Sequence, residues 1–186
     1  MGQVIHASGR RLERLVENFL IYAQIELMGD DPQKVTALRS KRTLNAAQVI
    51  KDRAMNHAAA AQRSDDLVLE VVDIPLPISE EYFGKIVEEL VQNAFKFSDS
   101  GTRVHVSLSA TPTGSTFVVV DHGRGFSTEH LTKVGAYMQF DRKMREQQGL
   151  GLGLVISKRL TELHGGTLAI QSIKGANTTV TVRLPM

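Results

Sequence analysis

Glu89, Asn93 and Lys96 are spaced four and three apart. On a helix that spacing lines them along one side. A carboxylate, a carboxamide and an ammonium in a row suit a polyphosphate carried with a metal. Asn93 offers a neutral oxygen to a hard cation such as Mg²⁺. Lys96 neutralises phosphate charge, and Glu89 accepts a proton or holds a water. Phe83, Val87, Leu90, Val91 and Ala94 fall on the opposite side and are expected in a core. The same polar spacing also serves a helix face that is merely solvated, so the segments downstream decide.

Two glycine-rich segments follow. Asp121-His122-Gly123-Arg124-Gly125-Phe126 comes directly after the apolar run Thr116 to Val120. An acid at the end of a buried strand, then two glycines, indicates a loop that needs close backbone approach or positive φ. Gly149-Leu150-Gly151-Leu152-Gly153-Leu154 opens a helix expected to run to about His164. Glycines at a helix N-terminus expose backbone N–H groups where the helix dipole is positive, a ready site for phosphate. Neither segment is a P-loop, because no Gly-Lys-Ser/Thr follows. The second is not a dinucleotide fingerprint, because its glycines alternate and no matching acid follows.

In this order the segments resemble the ATP-binding catalytic domain of sensor histidine kinases, within the gyrase and heat-shock-chaperone ATPase superfamily. Glu89 through Phe97 are similar to the family's N box, and Asp121 through Gly125 to its first glycine box. Phe140-Asp141-Arg142 are similar to its F box, and Gly149 through Leu154 to its second glycine box. Gly165 through Ser172 and Thr178 through Pro185 match its closing hairpin. The resemblance covers residues 64–186 closely and residues 1–28 more loosely. One box is a weak signal; four in order at family spacing are a strong one. His122 departs from the family, which usually has Asn after the acid.

The resemblance implies ATP and Mg²⁺ as cofactors. Asp121 is implied to accept the adenine 6-amino proton, with Thr178 nearby through water. Gly123 and Gly125 let the purine sit against backbone, and Phe97 lines the base pocket. Asn93 is the implied Mg²⁺ ligand, and Lys96 pairs with the phosphates. Gly149, Gly151 and Gly153 are implied to hinge a lid over residues 122–148 and to donate N–H groups to the phosphates. Arg142 is the lid's first candidate phosphate contact, ahead of Lys133, Lys143 and Arg145, and Met138 and Phe140 would dock the lid. Glu89 is the implied catalytic carboxylate, polarising the nucleophile. The implied reaction moves the ATP γ-phosphoryl to a histidine, for relay to an aspartate on a response-regulator receiver domain. A non-catalytic nucleotide-binding or dimerisation module, and a serine kinase of the anti-sigma-factor type, are the alternatives kept beside it.

These groups need elements to hold them. Residues 3–28 read as one long helix, with Ile5, Leu12, Leu15, Phe19 and Tyr22 on a heptad seam that Val16, Leu20 and Ala23 widen. That stripe is too broad for a helix with no partner. One reading packs it on its own domain. The other follows Ser8 through Glu26, which resemble the second helix of the kinase dimerisation and phosphotransfer hairpin, and implies a homodimer through this helix. The hairpin's first helix, with the phosphoacceptor, is not recognisable. His6 is followed by Ala7 and Ser8 rather than by an acid, and His57 belongs to another helix. Residues 1–28 are thus assigned to the hairpin, residues 29–42 to an exposed basic linker and residues 43–186 to the ATP-binding domain.

Within that domain a helix is expected from about Thr43, with Leu44, Ala47, Val49 or Ile50, Ala54 and Ala58 as its stripe. Leu67 to Val72 alternate as a strand. Ser79 caps the helix that carries Glu89 and Asn93. Arg103–Ala110 and Thr116–Asp121 form a hairpin, and the closing hairpin turns at Lys174 to Asn177. The family usually has glycine at the position of Asn177, so Asn177 is expected to take left-handed geometry. The fold class is α+β: a two-layer sandwich with a mixed sheet packed on about three helices, plus a protruding N-terminal helix.

Composition bounds the rest. The 186 residues suffice for one domain and an extra element, and 42% hydrophobic content supports a core. The 22 basic and 20 acidic residues leave a net charge of +2, too little to indicate nucleic-acid binding. The chain has no cysteine, which excludes disulfides and thiolate metal sites and fits a cytoplasmic protein. No apolar run approaches the ~18 residues of a membrane span, and no signal-peptide pattern is visible.

Overall fold

The computed structural model describes residues 2–126 and 152–185. Lys133, Met138, Phe140, Arg142, Lys143, Arg145, Gly149 and Gly151, named above for the lid and its hinge, lie outside the described residues.

Helix α1 spans Gly2–Gly29. The chain restarts at once as α2, Pro32–Arg39. Asp31 caps α2 by accepting the Gln33 and Lys34 N–H groups, and Pro32 supplies a pre-set φ in the first turn. The stretch read as an exposed linker is therefore partly helical and partly packed. Leu38 is buried, and Arg39 donates from Nε to the Leu163 carbonyl at 2.6 Å.

Helix α3, Ala46–Ala60, begins later than Thr43. Thr43 instead exchanges backbone hydrogen bonds with Leu76, so it is held extended. Leu44 lies before the helix and is exposed, whereas Ala47, Val49, Ile50, Ala54 and Ala58 are buried as expected. Strand β1, Leu67–Val71, leads through α4, Glu80–Phe97, to β2, Val104–Thr111. Strand β3 is Gly114–Asp121, helix α5 is Leu152–Leu163, and the chain closes with β4, Thr167–Ile173, and β5, Asn177–Pro185.

The five strands form one sheet in the order β1-β2-β3-β5-β4. β1 and β2 run parallel, which the α4 crossover between them allows, and every other pair is antiparallel. Alternation along the strands puts Val104, Val106, Leu108, Phe117, Val119 and Val182 on one face, all buried. Helices α3, α4 and α5 cover that face, with Phe83 of α4 edge-on to Phe117 of β3 at 5.6 Å between centroids. The fold is α+β with a mixed sheet under three helices, as the sequence indicates. Strand order also sets the site: β3 and β5 are central neighbours, so Asp121 and Thr178 face each other across the ladder.

The closing turn differs from expectation in one residue. Gly175, with φ of 76°, takes the left-handed position, and Asn177 already belongs to β5. The turn closes one residue pair earlier, through Ala176 N–H to the Ile173 carbonyl.

Candidate nucleotide site

Helix α4 starts where Ser79 accepts the Tyr82 N–H, with Glu80 and Glu81 in the positive first turn. Phe83, Val87, Leu90, Val91 and Ala94 turn inward, and all are buried. Asn93 is half-buried and Lys96 exposed at the C-terminal end. Among the described residues, no group bonds the Asn93 carboxamide. Its oxygen is therefore available to a hard cation that completes its shell with phosphate oxygens and water.

Glu89 is not on a solvated face. It is 2% exposed and tied by Arg14 Nη2 and Lys85 Nζ, each at 2.7 Å, with Asn18 Nδ2 at 3.4 Å. Arg14 and Asn18 come from α1. On the other side the carboxylate abuts α5: a Cβ added at Gly153 would overlap Glu89 Oε2. Three helices thus meet at one buried acid. A polar cleft of about 340 Å³ opens beside this junction, between Glu13 and Glu17 of α1, His57 of α3 and Lys85 and Glu88 of α4.

Asp121 ends β3 and is 7% exposed. Burial pushes its carboxyl up to about 6, against the lowering effect of the Gly123 N–H bond and the charges of His122 and Arg63. The Gly123 N–H reaches Oδ1 at 3.0 Å. Among the described residues no donor meets Oδ2, so one carboxylate oxygen remains to accept a proton from a ligand amine. Glycine is required at position 123 because any Cβ would overlap the Phe97 carbonyl oxygen. Arg124 N–H donates to the same carbonyl at 3.2 Å.

The Phe97 ring sits between two cations, Lys96 Nζ at 5.0 Å and Arg124 Cζ at 4.7 Å from its centroid, with Phe126 edge-on at 6.5 Å. Arg124 and Ser172, which stand inside the matched segments, join the site without having been singled out by their residue type or spacing. Ser172 Oγ donates to the Asn177 carbonyl at 2.8 Å and accepts the Phe126 N–H at 2.8 Å. Its one hydrogen is then committed, so its 3.1 Å contact with Thr178 Oγ1 uses the Thr178 hydrogen. Thr178 is left facing Asp121 as an acceptor. Gly175 N–H to the Arg124 carbonyl, at 2.8 Å, fastens the closing hairpin to the same loop.

The structure brings Lys96, Phe97, Asp121, Gly123, Gly125 and Thr178 around the junction of the α4 end, the first glycine loop and the β3–β5 ladder, with Asn93 one turn before Phe97 on the same helix. Gly153 lies at the start of α5, against Glu89. Arg142, Gly149 and Gly151 are outside the described residues. Lys85 was open to detection, since it stands four residues before Glu89 on one helix. Arg14, Asn18 and Arg63 had no local signal.

Comparison with known proteins gives the family. The profile of the family described as histidine kinase-, DNA gyrase B-, and HSP90-like ATPase matches residues 78–186. The chain is 32% identical over its whole length to the histidine protein kinase DivJ of Caulobacter vibrioides, spanning 30% of that protein. It is 28% identical over 98% of its length to the sensor histidine kinase YvrG of Bacillus subtilis, spanning 31% of it. In fold it resembles the Acinetobacter baumannii histidine kinase AdeS, with a TM-score of 0.72 and 18% identity over 99% of this chain and 83% of that one. The chain spans about a third of the curated relatives it matches. Among the described residues no helix is long and apolar enough to cross a membrane. The chain belongs to the histidine kinase-, DNA gyrase B-, and HSP90-like ATPase family, and is an ATPase domain of the sensor histidine kinase type.

Proposed function

We propose that this chain is the ATP-binding catalytic part of a two-component sensor histidine kinase, transferring the γ-phosphoryl of ATP to a histidine supplied by another segment. The observation that carries the reading is the placement of Asp121, buried with one free carboxylate oxygen, opposite Thr178 and beside a glycine loop pressed onto the Phe97 carbonyl. Asp121 accepts from the adenine amine, and Thr178 accepts through water. Phe97 closes the base pocket. Asn93 holds Mg²⁺, and Lys96 meets the phosphates. The N-terminus of α5, with Gly153 and the preceding Gly149 and Gly151, gives N–H donors to the phosphates, and Arg142 adds a cation from the lid. Bound ATP with Mg²⁺ supplies the phosphoryl group and the charge neutralisation; the protein's part is positioning and water exclusion.

On this reading Glu89 is the carboxylate that polarises the incoming histidine. While α1 is docked, Arg14 and Asn18 occupy that carboxylate, so this role requires its release from them. The phosphohistidine then passes its group to a receiver-domain aspartate. We assign residues 1–28 to the dimerisation hairpin. Leu12, Leu15, Val16, Phe19 and Leu20 are each at least half exposed on α1, and a second copy of the helix covers them.

The test supplies the chain, Mg²⁺ and γ-labelled ATP with a separate hairpin carrying a phosphoacceptor histidine. The expected result is acid-labile, base-stable label on the hairpin, lost with Asn93→Ala. Label that is acid-stable and on serine points to the serine-kinase class and overturns the reading.

A further inference from the structure

Arg63 lies outside every motif, yet it is among the most engaged side chains of the fold. It is 7% exposed. Nε donates to Asp66 Oδ2 at 2.6 Å. Nη1 reaches the Phe95 carbonyl at 3.0 Å, the Ser98 carbonyl at 2.9 Å and Ser98 Oγ at 3.1 Å, and Nη2 reaches the Thr102 carbonyl at 2.9 Å. The guanidinium also stands 5.0 Å from the Phe95 ring centroid.

The last carbonyls of a helix have no partner within it. At the end of α4 they are met from outside. Ser98 Oγ donates to the Ala94 carbonyl at 2.7 Å, Arg63 takes the Phe95 and Ser98 carbonyls, and the Phe97 carbonyl is left for the first glycine loop. The backbone is bent to achieve this. Gln62, with φ of 56°, is the one non-glycine residue in left-handed geometry among the described residues, and it turns the chain off α3 so that Arg63 enters the interior. Left-handed geometry in a residue with a long side chain persists where the surroundings over-determine it. A glycine there would be expected if only the turn mattered.

We propose that Arg63 is a positioning residue for the purine end of the nucleotide site, fixing the last turn of α4 so that the Phe97 carbonyl and ring meet the Asp121–Gly125 loop. The inference rests on the nucleotide-binding reading above. It requires adenine recognition, rather than phosphate binding, to depend on Arg63. Arg63 also acts on Asp121 by charge. The other charged group acting there is His122 on its own loop, while Lys96 of α4 and Arg124 flank the neighbouring Phe97, and the strand partners Val104 and Thr178 carry no charge.

The test measures ADP and GDP affinity between pH 5 and pH 8 for the parent chain, Arg63→Met and Arg63→Lys, with Gln62→Gly as a turn control. The preference for ADP over GDP falls by about tenfold in Arg63→Met, the scale expected when a recognition group is displaced by a fraction of an ångström. Arg63→Lys restores part of it. The low-pH limit of ADP binding moves upward in Arg63→Met, because loss of the cation makes Asp121 harder to ionise, and stays put in Gln62→Gly. An unchanged ADP preference and pH limit in folded Arg63→Met overturn the proposal alone. If Arg63→Met does not fold, a parent-like ADP preference in Arg63→Lys does the same, because a lysine cannot meet all the carbonyls that the guanidinium meets. A parent that binds neither nucleotide overturns the underlying reading and this proposal with it.

Discussion

Asp121 is a carboxylate kept where its charge is disfavoured, and that has a measurable sign. Its folded value of about 6 exceeds the ordinary 3.8. The stability it contributes is therefore fully present below the unfolded value and lost as pH rises through about 6. Asp121→Asn removes the penalty of burying the anion. Thermal unfolding at pH 7.5 should show a higher Tm than the parent, with the difference closing towards pH 4, while nucleotide binding is lost. At Gly153 the steric margin is absent. Gly153→Ala drives a methyl into Glu89 Oε2, an atom that Arg14 holds in place while Lys85 holds Oε1 of the same carboxylate. Denaturant titration should show a loss of about 2 kcal/mol, typical of overpacking, and the loss should shrink in a Glu89→Ala background. Sequence spacing pointed to Asp121, Gly123 and Glu89 because their chemistry is written in local order. It was blind to the Arg14–Glu89 pair, whose members lie 75 residues apart, and to Arg63, whose partners belong to a helix end and two turns.

Helix α4 was legible because its stripe, cap and acidic first turn agree with one another. Helix α2 was not, since it is only eight residues long and Leu38 is its one buried residue. Asn177 was misplaced for a related reason: which residue of a four-residue turn goes left-handed depends on strand register, and Gly175 is the cheaper choice. The docking of α1 is an element-scale property with two kinds of contact. Ile25 is 1% exposed within the core cluster, and Arg159 of α5 binds Glu26 at 2.7 and 2.8 Å. Ile25→Ala should cost about 3 kcal/mol in global or α1-local stability, read by amide exchange along α1. Ser79→Ala should cost about 1 kcal/mol through the lost cap of α4.

The whole molecule is a sheet-and-helix domain with a helix whose two ends are treated differently. Towards its C-terminus α1 is packed on α5; around Leu12 to Leu20 its apolar side is open. The open part is what the heptad pattern foretold, and the packed part is what the same pattern could not separate from it. Sedimentation should show self-association of the chain, abolished by Leu15→Glu together with Phe19→Glu without loss of nucleotide binding. On the proposed function, the α4 end, the first glycine loop and the β3–β5 ladder make one ATP–Mg²⁺ site. Calorimetric titration of an ATP analogue with Mg²⁺ into the parent, Asn93→Ala and Asp121→Ala tests it most directly. The expected result is parent affinity of micromolar order, about −8 kcal/mol, and no detectable binding by either variant. A parent that does not bind, or variants that bind as the parent does, would contradict it.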